Sequence, residues 1–129
     1  MRGITFGAFE YVHIGHINLL ERARAMCDEL YVMVSSDGYI KKKKGHAPEF
    51  CWRERARAVQ GIKYVTGVGI QTLDFGKKEA IEVFKPDLIF VGDDWTPETF
   101  TGEGLGVRVI YLPRTEKISS TRIRERVGL

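Results

Sequence analysis

This 129-residue chain has little with which to staple itself covalently or through a metal. Its two cysteines, Cys27 and Cys51, stand apart, in neither a Cys-x-x-Cys pair nor a metal-ligand cluster. That argues against a disulfide framework or a zinc site and leaves both as ordinary reduced thiols. No apolar run approaches the roughly eighteen residues of a membrane span, and the N-terminus enters a strand pattern without a signal-peptide layout. A cytoplasmic protein with no membrane partner is expected. Neither sign of charge is in large excess: the formal net charge of +3 suits a small anionic ligand but falls short of a nucleic-acid footprint. The basic residues are scattered and the aromatics lie mostly in apolar runs without a stacking array, so no nucleic-acid partner is expected. The length allows a real core and is too short for two ordinary domains, so residues 1–129 read as one domain.

What is present alternates between short apolar runs and helix-patterned segments. Gly3 to Phe6, Leu30 to Val34, Thr66 to Ile70, Asp87 to Val91 and Val107 to Leu112 read as strands. Between them, a helix from Ile14 onward turns Ile17, Leu19, Leu20, Ala23, Met26 and Cys27 inward. A second buries Trp52, Ala56, Val59 and Ile62, with Arg53, Arg55 and Arg57 on its other sides. A third runs from Lys77 to Phe84 and is stopped by Pro86. A closing helix points Ile123 and Val127 inward. Tyr39 to Phe50, with Lys41-Lys42-Lys43-Lys44-Gly45, shows no periodicity and reads as a flexible basic loop. The pattern predicts an α/β fold, a Rossmann-like three-layer domain with a five-stranded parallel sheet. Gly102-Glu103-Gly104-Leu105-Gly106 looks superficially like a dinucleotide fingerprint, but it precedes a strand instead of following one and opening a helix.

The polar residues with chemical potential fall after the strands. Phe6-Gly7-Ala8-Phe9-Glu10-Tyr11-Val12-His13-Ile14-Gly15-His16 follows the first. Gly7 and Gly15 permit close backbone approach, the following helix offers unpaired N–H groups, and two imidazoles three positions apart are expected to face one ligand. With an ordinary pKa of about 6.5, an anion is expected to hold these rings protonated. Asp37 follows the second strand, and Gly92-Asp93-Asp94-Trp95 the fourth. Arg114-Thr115-Glu116-Lys117-Ile118-Ser119-Ser120 follows the fifth. Ser119 or Ser120 can cap the last helix without a reciprocal capping box, which makes that helix start a second phosphate cradle. Parallel sheets bind ligands beyond the carboxyl ends of their strands, so these groups define one phosphate-centred site.

Over nearly its whole length the sequence resembles the small cytidylyltransferases of the HxGH nucleotidyltransferase superfamily. The resemblance rests on Gly7 to His16, on Gly92-Asp93-Asp94-Trp95, and on Tyr111-Leu112-Pro113-Arg114-Thr115-Glu116 leading to Ile118-Ser119-Ser120-Thr121. It implies attack by a substrate phosphate on the α-phosphorus of CTP, assisted by Mg²⁺. A small phosphorylated alcohol, with glycerol 3-phosphate first among the candidates, would be the acceptor, and the protein would be a homodimer. It implies that His13, His16, Lys44 and Arg114 are catalytic. Nucleotide contacts fall to Phe6, Gly7, Ala8, Phe9, Gly15, Gly92, Asp93, Trp95, Arg114, Thr115, Ile118, Ser119 and Ser120. Acceptor contacts fall to Glu10, Asp37, Lys43, Lys44 and Arg55, with the metal ligands left unassigned.

Three residues depart from the family pattern: Ala8 replaces a threonine or serine, Glu10 an aspartate, and Lys117 a glycine. Loss of one hydroxyl contact to a charged phosphate costs roughly 1.5–3 kcal/mol, enough to slow a reaction without abolishing it. Use of ATP, a different phosphorylated acceptor, and a non-catalytic nucleotide-binding role therefore stand as alternatives.

Overall fold

A computed structural model describes residues 1–113. In chain order the elements are β1 (Arg2–Gly7), α1 (Ile14–Arg24), β2 (Glu29–Ser35), α2 (Asp37–Lys44), α3 (Trp52–Gln60), β3 (Gly67–Gln71), α4 (Lys77–Phe84), β4 (Leu88–Gly92) and β5 (Arg108–Leu112). All four strand pairings are parallel, in the order β3-β2-β1-β4-β5. The five-stranded parallel α/β sheet expected from the alternating pattern is therefore present. The closing helix expected around Ile123 and Val127 lies outside the described residues.

The central strands are buried on both faces, which is why they read as unbroken apolar runs. On one face Leu20, Ala23, Leu30, Val32, Val34, Val59 and Phe90 form a core under α1 and α3. On the other, Ile4, Met33, Ala80, Ile89, Val91 and Phe100 pack under α4 and the segment after β4. Leu20 has no exposed surface, and truncating such a leucine to alanine costs about 2–5 kcal/mol. Thr5, the buried polar residue of β1, donates its hydroxyl to the Phe90 carbonyl at 2.8 Å, so its burial leaves no unmet donor.

Three local expectations are corrected. Met26 is exposed because α1 ends at Arg24, with Ala25 as its C-cap, so helical spacing no longer carries residue 26 inward. The stretch read as a flexible basic loop contains α2. Two turns are too short to show periodicity, but both ends are well marked. Ser36 accepts from the Tyr39 N–H at 3.0 Å, Asp37 lies in the first turn, and Lys41 to Lys44 fill the last, where cations suit the helix dipole. Gly45 stops the helix in the left-handed conformation at φ 83°. Arg55, placed by the helical wheel on an outer side of α3, is 2 % exposed and belongs to the interior.

Candidate active site

The chain runs from β1 outward through β2 to β3, then crosses to β4 on the other side of β1. The order reverses between β1 and β4, and such a reversal opens a crevice at the carboxyl edge. The turn after β1 lies there. Its form is set by Gly7 and Phe9: Phe9 is buried with φ 51°, and its ring lies so close over Gly7 that a Cβ there would come within 2.8 Å of it. Glycine at position 7 is thus a steric requirement, and a left-handed phenylalanine is strain that the surroundings must hold.

Arg55 supplies that restraint. Its guanidinium donates to the Ala8 carbonyl at 2.6 Å, the Ser35 carbonyl at 2.7 Å, the Phe50 carbonyl at 2.9 Å and Asp37 Oδ1 at 2.7 Å. One buried fork therefore ties the β1 turn to the end of β2, the start of α2 and the start of α3. Ser35 adds a hydroxyl bond to the Gly7 carbonyl at 3.3 Å. Arg55 and Asp37, expected to touch an acceptor, here bind each other. No sequence pattern marks this fork, because its acceptors are mostly backbone carbonyls brought together by the fold.

His13 and His16 lie with ring centres 4.1 Å apart and are stacked at 27°. His13 is the N-cap of α1 and its Nδ1 accepts the Gly15 N–H at 3.0 Å, while His16 Nδ1 accepts the His13 N–H at 3.2 Å. The pair forms a reciprocal capping box built from imidazoles. One expectation changes as a result. The helix start does not offer the N–H groups of His13 and Gly15 to an anion, because the rings take them. Burial, with His13 adding to it, lowers the His16 pKa to about 4, against a hydrogen bond to the Tyr11 backbone that works the other way. Phe9 contributes to that burial, its ring centre 5.1 Å from that of His16.

The remaining groups surround this turn. Lys44 Nζ pairs with Glu10 at 2.6 Å, and Lys43 Nζ stands 5.6 Å from the Tyr39 ring centre. Trp52 Nε1 donates to the Val34 carbonyl at 3.1 Å, fixing α3 to β2. Across the crevice, Gly92 ends β4, the Asp93 N–H bonds to the Leu112 carbonyl at 2.9 Å, and Trp95 is 47 % exposed. The structure thus brings Phe6 to Glu10, His13, Gly15, His16, Asp37, Lys43, Lys44, Gly92, Asp93 and Trp95 to one sheet edge. Arg114, Thr115, Lys117, Ile118, Ser119 and Ser120 lie outside the described residues. A cavity of about 390 Å³ adjoins the turn on its α3 side, lined by Phe9, Glu10, Tyr11, Val12, Phe50, Glu54, Arg55 and Ala58. Neither histidine lines it, and its two carboxylates suit a triphosphate poorly.

A parallel sheet with this strand order and a glycine–histidine turn at its switch point defines an α/β protein of the nucleotidyltransferase type. The profile of the cytidylyltransferase-like family matches residues 4–126, and the chain belongs to that family. It is 40 % identical over 127 residues to glycerol-3-phosphate cytidylyltransferase of Staphylococcus aureus, covering 96 % of this chain and 92 % of that protein. The protein of the same name from Bacillus subtilis is 37 % identical over 125 residues, covering 97 % and 95 % respectively. Among solved structures, a lipopolysaccharide core biosynthesis protein from Thermoplasma volcanium superposes with a TM-score of 0.72 at 24 % identity, over 89 % of this chain and 96 % of that one. This last likeness speaks to the fold alone.

Proposed function

We infer that the protein transfers a cytidylyl group from CTP to glycerol 3-phosphate, releasing pyrophosphate and forming CDP-glycerol. The observation that carries the reading is the stacked His13–His16 pair at the end of β1, in a chain with two full-length relatives, at 40 % and 37 % identity, named glycerol-3-phosphate cytidylyltransferase. A phosphate oxygen of the acceptor forms a bond to the α-phosphorus of CTP. The bond from that phosphorus to the bridging oxygen breaks, and pyrophosphate leaves with the electron pair. No covalent enzyme intermediate is required, so the protein's work is alignment and charge stabilisation. His13 and His16 donate ring N–H groups to the oxygens on which charge grows, and their capping bonds hold both rings in place beforehand. Gly7, Ala8, Phe9 and Gly15 let the triphosphate approach the backbone. Gly92, Asp93 and Trp95 meet the base end, while Arg114 with Thr115, Ile118, Ser119 and Ser120 receives the leaving group. Lys43, Lys44 and Glu10 frame the acceptor, and Asp37 and Arg55 hold that frame from behind.

Among the described residues no group of three or more His, Cys, Asp or Glu side chains gathers to hold a metal ion. Mg²⁺ belongs to this reading through the family resemblance, where it would supply positive charge to the triphosphate. Residues 1–129 act as one nucleotidyltransferase domain, and the cytoplasmic homodimer is an extension that rests on the resemblance. Among the described residues no helix is long and apolar enough to cross a membrane. Pyrophosphate release, measured with each nucleoside triphosphate against a panel of polyol and sugar phosphates, tests the reading. CTP with glycerol 3-phosphate is expected to turn over fastest. Turnover only with another pair, or CTP binding without any product, would overturn it.

A further inference from the structure

Gln71 ends β3 and is only 3 % exposed. Burial of a glutamine is ordinarily matched by hydrogen bonds at both ends of its amide. Here, among the described residues, the amide makes one: Nε2 donates to the Tyr39 hydroxyl at 3.4 Å, a long bond, and no donor meets Oε1. Nor is that oxygen sealed in. Among the described residues no buried side-chain nitrogen or oxygen lacks a partner, so the unpartnered Oε1 is the part of Gln71 that reaches the surface. Half-buried Tyr39 completes the pair, because its oxygen accepts from Gln71 and no described residue accepts its O–H. One neutral acceptor and one neutral donor thus stand side by side, both unspent. Their backbones are held in place: the Ser36 N–H donates to the Gln71 carbonyl at 2.8 Å, and Ser36 Oγ accepts the Tyr39 N–H at 3.0 Å. Strand alternation gives the face. A Cβ at Gly69 would come within 2.7 Å of the Met33 sulfur, in the core under α4, and Gln71, two residues on, shares that face. Ser35 is registered with Gln71 and bonds to the Gly7 carbonyl at 3.3 Å. The pair therefore lies two strand spacings, about 10 Å, from the motif turn, on the side away from β4.

We propose that Gln71 and Tyr39 are specificity-determining residues that read a hydroxyl on the carbon chain of the phosphorylated acceptor. The inference rests on the cytidylyl-transfer reading and deepens it. In that reading Gly92, Asp93 and Trp95, after β4, meet the base end of CTP. An acceptor whose phosphate reaches the motif turn then runs its carbon chain the other way, over β2 toward β3. An uncharged donor–acceptor pair offers a phosphate little, but it gives a polyol hydroxyl one bond in each direction. A site built in this way rejects an analogue that lacks the hydroxyl, because its own polar groups are left unmet.

The test compares wild type with Tyr39→Phe and Gln71→Met, each close in shape to the residue it replaces. The acceptors are glycerol 3-phosphate and propyl phosphate, the same chain without hydroxyls. Wild type is expected to favour glycerol 3-phosphate in kcat/KM, and each variant to lose roughly two- to tenfold on that substrate while propyl phosphate is unchanged. A loss shared equally by both acceptors marks a structural role and overturns the proposal. So does no loss on either, or a wild type that takes both acceptors alike. A second measurement needs no turnover and so separates failure here from failure of the cytidylyl-transfer reading. The chain has two glutamines, Gln60 and Gln71, so with isotope-labelled glutamine the side-chain amide signal missing from Gln71→Met is that of residue 71. It is followed, with and without CTP, as glycerol 3-phosphate, propyl phosphate or inorganic phosphate is added. A saturable shift larger with glycerol 3-phosphate than with the other two supports the pair as a hydroxyl reader even if no cytidylyl transfer is found. Equal shifts with all three, or none, overturn it.

Discussion

At the scale of single residues, the Nδ1 atoms of His13 and His16 cap α1, and in the proposed reaction the same rings meet the triphosphate. Burial of His16 also sets a pH limit. The His16 pKa is depressed to about 4 in the folded protein, against about 6.5 unfolded. The unfolded chain therefore binds the extra proton first. The contribution to stability is complete above about pH 6.5 and is lost as pH falls toward 4, at roughly 1.4 kcal/mol per unit. Urea midpoints measured at pH 7, 5.5 and 4.5 should fall more steeply for wild type than for His16→Asn. Parallel slopes would mean that this ring does not titrate as the fold requires. Ala8 invites a smaller reading than its place in the motif implied, since its carbonyl is a structural acceptor for Arg55 whatever its side chain lacks.

At the scale of elements, Arg55 is where β1, β2, α2 and α3 are fastened together. Lysine cannot serve four acceptors in a planar fork, and each buried acceptor left unmet costs about 1–3 kcal/mol. Arg55→Lys is therefore expected to lose about 2–4 kcal/mol in urea unfolding. A loss under about 0.5 kcal/mol would show that the fork restrains nothing. The five strands and α4 were legible in the sequence because burial on two faces, or on one stripe, leaves a periodic apolar trace. Arg55 was not, because a helical wheel reports which side a residue occupies, not whether carbonyls from three other segments meet there. α2 escaped for a different reason: it has two turns and only Ile40 buried, so its evidence is in caps and charges.

At the scale of the whole molecule, the sheet gathers the motif turn, the basic helix α2 and the Gly92–Trp95 turn from segments far apart in the chain. Sequence reading found that gathering by one rule, that parallel sheets bind at their carboxyl edge. It could not reveal which face each cation occupies. A ligand that spans this edge binds the native state alone and stabilises it by mass action, by about 2.7 kcal/mol at a hundredfold excess over Kd. For a chain of this size that corresponds to a melting shift on the order of 10 °C. Thermal scans with CTP and with ATP should show the larger shift for CTP. An equal shift with ATP would remove the base preference. The imidazole capping box has one more consequence, for whoever needs an inert version of this protein. Replacing His13 with alanine removes a reactive group and uncaps a helix in the same stroke, so a dead variant and a damaged one look alike. Asparagine, which keeps an acceptor for the Gly15 N–H but has no imidazole, separates the two.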